Sequence, residues 1–177
     1  MKLDKFDLIA LINETINEVL DFNNIEGYSY HYYGDSNKLI GAFNVDDNTV
    51  IQVFQQQISI NMVKIPQTFR KEDGVINLIY SVNDVTTQHK KTSLSELLNI
   101  IKTVNCIIKE YLDSFNNKNP IFVIYSEPKL GVGLNDNQKR ELYKMVLEKH
   151  LPPNYRVSDG VFNGNIPITV FQKIIKK

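Results

Sequence analysis

A single cysteine, Cys106, in 177 residues excludes an intrachain disulfide. No Cys/His cluster has the spacing of zinc ligands, and the three histidines, His31, His89 and His150, stand far apart in the chain. Arginine is scarce. Only Arg70, Arg140 and Arg156 supply the planar fork that grips phosphates, carboxylates and base edges bidentately, so few such sites can exist. An excess of either charge is also missing, because 20 Lys and Arg balance 20 Asp and Glu. A dedicated phosphate-backbone binder carries a basic excess and a DNA mimic an acidic one, so nucleic acid is not the expected partner. No apolar run approaches the roughly 18 residues of a membrane span. Asp4 and Asp7 interrupt the first apolar residues, and no small-residue cleavage site follows, which argues against a signal peptide. No membrane contact and a reducing cytoplasm are therefore expected.

Alanine occurs twice, whereas Ile, Asn and Lys make up 58 residues. All three have AT-rich codons, which points to an AT-rich bacterial, phage or mobile-element genome. The 42% apolar and 23% charged residues fit an ordinary globular chain, and the length fits a single domain over 1–177. The charge is unevenly spread. Residues 1–60 hold three Lys against nine Asp and Glu, a net of −6, which residues 61–177 balance with +6.

Apolar spacings of three and four predict a helix from Leu3 to Phe22. The period then changes. Tyr28–Tyr33, Lys38–Val45, Thr49–Val63 and Val75–Val82 read as strands separated by short turn clusters, which predicts an antiparallel meander of about four strands. Gln55-Gln56-Gln57 interrupts the alternation of the third strand and suggests a bulge or break. A long helix follows, capped by Thr92 or Ser93 with Glu96 placed for a capping box. Its apolar stripe runs from Leu94 through Ile101, Val104 and Ile108 to Phe115, leaving Cys106 on the other side. Ile121–Tyr125 reads as a buried strand, and Asn135 or Asp136 caps a third helix that ends near His150, before Pro152-Pro153. The tail, Tyr155–Ile175, reads as a hairpin turning at Asp159-Gly160 or Asn163-Gly164, with Pro167 confining its strand to an edge. The expected fold is α+β: an N-terminal helix, the meander, a long central helix, then β-α-β(β), with the helices packed on one sheet.

Chemistry is sparse. Gly131-Val132-Gly133 stands between a strand and a helix, where anions bind, but no third glycine completes a dinucleotide fingerprint and no P-loop lysine follows. Arg140, Tyr143, Leu147 and His150 share one ridge of the third helix, with Glu127 ending the strand before it and Arg156 following. That ridge is either a binding surface or the edge of the core. Tyr28, Tyr30, Tyr32 and Tyr33 around His31 form an aromatic strand suited to the core or to a protein contact. Lys90-Lys91 and Lys176-Lys177 read as solubilising charges. No nucleophile–base pair, metal motif or paired carboxylates emerge, and no cofactor is expected. In architecture alone, the helix–meander–helix order resembles small bacterial partner-binding proteins such as secretion chaperones and toxin-immunity proteins. The chain thus reads as a non-catalytic intracellular protein-binding module: an adaptor, immunity factor, inhibitor or chaperone. Its expected partner is another protein, and homo-oligomers stay open. The alternative is a small enzyme with a polar site around Glu127, Arg140, Tyr143 and His150.

Overall fold

A computed structural model describes residues 26–34, 38–82, 90–91, 93–115, 118–124, 130–131 and 136–175. In chain order its strands are β1 (Tyr30–Tyr32), β2 (Leu39–Asp46), β3 (Thr49–Ile58), β4 (Val63–Lys64), β5 (Val75–Val82), β6 (Lys90–Lys91), β7 (Ile121–Ile124), β8 (Leu130–Gly131), β9 (Tyr155–Phe162) and β10 (Ile166–Lys173). The helices among the described residues are α1 (Leu94–Asp113) and α2 (Asp136–His150). The expected N-terminal helix over Leu3–Phe22 lies outside the described residues.

The expected fold is corrected by the sheet. Eight strands join into one mixed sheet in the order β1-β2-β3-β5-β7-β10-β9-β4, rather than a small meander decorated with helices. The meander strands β1, β2, β3 and β5 are antiparallel neighbours, but β5 does not end the sheet. β7 lies beside it in parallel, pairing Val75 with Ile121 through Leu78 with Ile124. A parallel neighbour needs a long crossover, and α1 lies in it. β10 then adds antiparallel to β7, and the C-terminal hairpin extends the same sheet. Hydrophobic patterning assigns faces to strands and says nothing of which strand sits beside which.

β7 reads as a continuous apolar run because both its faces are covered. Phe122 and Ile124 belong to the larger core with α1, together with Ile51, Val53, Leu78 and Phe171. Ile121 and Val123 belong to a second cluster on the opposite face, where Val63 and Phe69 cover Ile168 and Val170. Each Ile or Phe buried this way contributes roughly 1.5–3 kcal/mol of transfer free energy. α1 starts at Ser93, whose Oγ accepts from the Glu96 N–H at 3.1 Å. The helix is tied to the first strands by the Tyr28 N–H, which donates to Thr103 Oγ1 at 2.8 Å.

Three local expectations change. β3 runs unbroken through the glutamine triplet, in continuous register with β5, and yields only at Ser59, before a short 3-10 turn at Ile60–Met62. The register shifts fall instead on the β2 side, between Leu39 and Gly41 and between Asn44 and Asp46. The β9–β10 hairpin turns at Asn163-Gly164, with φ of 47° and 85°, the positive angles this dipeptide accommodates best. Asp159-Gly160 lies inside β9. β10 is an interior strand despite Pro167. β7 pairs with it only from Thr169 to Phe171, so Pro167 sits where that flank has no strand neighbour among the described residues.

Candidate functional site

The site arises from a mismatch in strand length. The last register pair between β2 and β3 is Leu39 with Phe54, and the last bond is the Gln55 N–H donating to the Lys38 carbonyl at 2.8 Å. β3 continues to Ile58, still paired on its other flank with β5 as far as Val75. Along a strand, backbone N–H and C=O groups of alternate residues point to opposite flanks. Gln55 points its N–H toward β2, so Gln57 points its N–H and C=O into the space that β2 has left. Gln56 and Gln57 are exposed.

A groove of about 1030 Å³ opens around this strand flank. One face of the sheet contributes Phe54, Gln56 and Ile79, and Lys38 also lines the groove. The other face carries Gln55, Gln57 and Ile76, closed by Ser114 and Phe115 at the end of α1 and by Lys118. The α1 end is held firmly. The Tyr111 hydroxyl donates to Gln55 Oε1, and the Ser114 hydroxyl donates to the Tyr111 carbonyl at 2.6 Å. Phe115 meets Tyr111 and Phe122 edge-on, with ring centroids 5.0 and 5.6 Å apart. The named lining holds two cations, three amide side chains and no carboxylate, so it is a surface for hydrogen bonding and for negative charge. Asn77 stands directly opposite Gln56 in the register. It is 2% exposed, and its Oδ1 has no hydrogen-bond partner among the described residues. Ser81 Oγ and Gln52 Oε1, a cross-strand pair on the same face, are also buried without partners there. Orphaned polar atoms of this kind are rare in folded proteins and call for an explanation.

The residues singled out from sequence fall elsewhere. Glu127 lies outside the described residues, and of Tyr143 only the backbone, within α2, is described. Arg140 is half-buried, donating from Nη2 to Glu141 Oε1 at 3.1 Å while its Nε has no partner among the described residues. Leu147 is buried in the larger core, and His150 Nδ1 lies 2.9 Å from the Val146 carbonyl one turn back. Lys144, also on α2, pairs with Asp159 of β9 at 2.9 Å. Arg156 donates from Nη1 to the Thr68 carbonyl at 2.6 Å, with its guanidinium 5.8 Å from the Phe69 ring centre.

On the aromatic strand, Tyr28 stacks on Phe43, whereas Tyr30 and Tyr33 are exposed. The Tyr30 hydroxyl donates to Glu110 Oε2 at 3.1 Å, and partial burial together with that carboxylate pushes its pKa up to about 12. Cys106 is exposed on the same side of α1. Lys90-Lys91 pair with Leu130-Gly131 as a short parallel ladder rather than standing in a bare loop. Among the described residues no group of three or more His, Cys, Asp or Glu is placed to hold a metal ion, and no helix is long and apolar enough to cross a membrane. Sequence reasoning missed Lys38, Asn77 and Lys118 outright. The glutamine triplet was visible as an interruption, and its meaning was a strand flank rather than a break. Comparison of the chain with protein-family models, with curated proteins and with solved structures finds no match in any of the three.

Proposed function

We propose that this chain is a non-catalytic protein-binding module that receives a segment of its partner in the groove between the end of α1 and the overhanging end of β3. The observation that supports this is the lining: amide, aromatic and lysine side chains converge on an exposed strand flank. Pockets of this composition recognise a polypeptide by hydrogen bonds and local charge. The alternative of a small enzyme around Arg140 and His150 has less support, because Leu147 of that ridge packs into the core and Arg140 pairs with its own neighbour, Glu141.

The test places a photo-crosslinking benzoylphenylalanine at Gln56, identifies the captured protein by mass spectrometry and purifies it. A Lys109 site on the exposed side of α1 serves as the control. The reading expects capture from Gln56 and not from Lys109. It also expects the purified partner to bind the double variant Lys38→Glu, Lys118→Glu at least about tenfold more weakly, with an unchanged melting temperature. Equal capture from both sites, or unchanged affinity of the double variant, would refute it.

A further inference from the structure

Resting on that reading, we infer that the partner segment binds as an added β-strand along Gln56–Ile58 and carries a carboxylate side chain into the groove. The backbone makes the first part of the case. The flank of β3 beyond Lys38 presents the Gln57 N–H and C=O on the line that β2 follows up to Leu39. An extended chain entering there continues that line and supplies the missing ladder partners. The open stretch from Gln56 to Ile58 is two residue steps, about 7 Å at strand rise, which suits a segment of about three residues. Its side chains alternate between two apolar footings. One is Ile76 with Phe115, and the other is Phe54 with Ile79.

The charge makes the second part. Lys38 and Lys118 both line the groove, and among the described residues its lining contains no acid. The three glutamine amides accept a neutral or a charged neighbour equally well, so the two ammonium groups decide the sign. A carboxylate on the incoming strand gains from both, whereas a lysine or arginine meets like charge. Neutralisation also removes what keeps the flank from pairing indiscriminately, since lysines beside a strand edge discourage edge-to-edge association.

The experiment titrates the isotope-labelled chain with an acetylated, amidated Thr-Val-Glu-Val-Glu-Val-Thr peptide and with its counterpart carrying Lys for Glu, following amide resonances. Saturable shifts centred on Gln56 and Gln57 are expected from the Glu peptide, with an affinity at least about fivefold above that of the Lys peptide. Gln57→Pro removes an N–H that points away from β5, so the β3–β5 ladder survives while binding falls at least about tenfold. Gln57→Ala keeps the N–H and stays within about twofold. Should Gln57→Pro lower the melting temperature, the Glu peptide N-methylated at alternate residues replaces it, and that peptide is expected not to bind. No shift with either peptide, equal affinity for both, or full binding by Gln57→Pro overturns the inference. So does a dimer of the free chain that dissociates in Gln57→Pro, which would assign the flank to a second copy. If the cross-linked partner depends on Lys38 and Lys118 but binds Gln57→Pro normally, strand addition fails while the groove remains the binding site.

Discussion

Gly41 lies on β2 opposite Tyr32 of β1, directly under α1. A methyl group built on it would stand 2.7 Å from Ile107 Cγ2, 3.0 Å from Ile107 Cδ1 and 3.1 Å from the His31 carbonyl. Ile107 is 0% exposed, so it has no solvent to retreat into. Gly41→Ala therefore overpacks the seam between helix and sheet. Overpacking costs about 1–3 kcal/mol, against about 0.4–1 kcal/mol gained by restricting the unfolded chain at a position whose φ is not positive. The expected net loss is about 1–2 kcal/mol. Ile107→Ala alone should cost about 2–5 kcal/mol, as a fully buried large-to-small change does. The informative quantity is the double variant. With Ile107 truncated, both short carbon contacts vanish and only the His31 carbonyl has to yield, on a three-residue edge strand. The same Gly41→Ala change should then become stabilising by about 0.5–1 kcal/mol. Urea denaturation followed by far-ultraviolet circular dichroism, with matched slopes across the four proteins, measures the cycle. Additivity within about 0.5 kcal/mol, or stabilisation by Gly41→Ala in the parent, would show that α1 does not approach β2 this closely.

Two further expectations rest on single side chains. Asn77 is buried and its Oδ1 has no partner among the described residues, so Asn77→Val should be neutral or raise stability by about 1 kcal/mol, because it removes that polar atom and adds a good strand former. A loss of more than about 1 kcal/mol in the same urea assay would mean the amide has a partner that stabilises it. Tyr155 is pushed up to about 12, first by burial and then by the Asp113 carboxylate. Its unfolded value is about 10, so the folded state holds the proton longer and the corresponding stability is intact below about pH 10 and lost as pH rises toward 12. Tyr155→Phe should flatten the fall of melting temperature across that window, and an unchanged slope would count against the burial of this hydroxyl.

The elements and the neighbourhoods differed in how far the chain revealed them. β3, β5 and the phase of α1 are written in periodicity, because a half-buried strand or helix must alternate, and Cys106 falls on the exposed side for the same reason. The parallel pairing of β5 with β7 is not written there. Ile121–Ile124 would show the same unbroken apolar run in any interior position. The expectation of an edge strand at Pro167 failed for a related reason. A proline excludes a ladder partner only on its own N–H flank and at its own level, and β7 is too short to reach it. The Arg140 ridge was legible as a surface only in its spacing. Three-residue periodicity does not distinguish a side chain at the rim from Leu147, which α2 turns into the core beside Val146.

The groove escaped the sequence because it is a difference between two strand lengths. Strands are recognised one at a time, whereas an overhang exists only once the partner's end is known. On the proposed reading, the two ends of the sheet differ from this place in what they offer a partner. β1 offers three residues and β4 two, the short edges that keep sheets from adding strands. Arg156 of β9 donates to the Thr68 carbonyl in the segment between β4 and β5. The overhang of β3 is different. It is backed on its far flank by the continuous ladder to β5, so its extended shape is already fixed and an incoming strand need not order it. Preorganised backbone groups beside a groove, with lysines that oppose indiscriminate pairing, combine readiness to bind with a condition on what binds. That combination is what separates a recognition edge from an aggregation hazard.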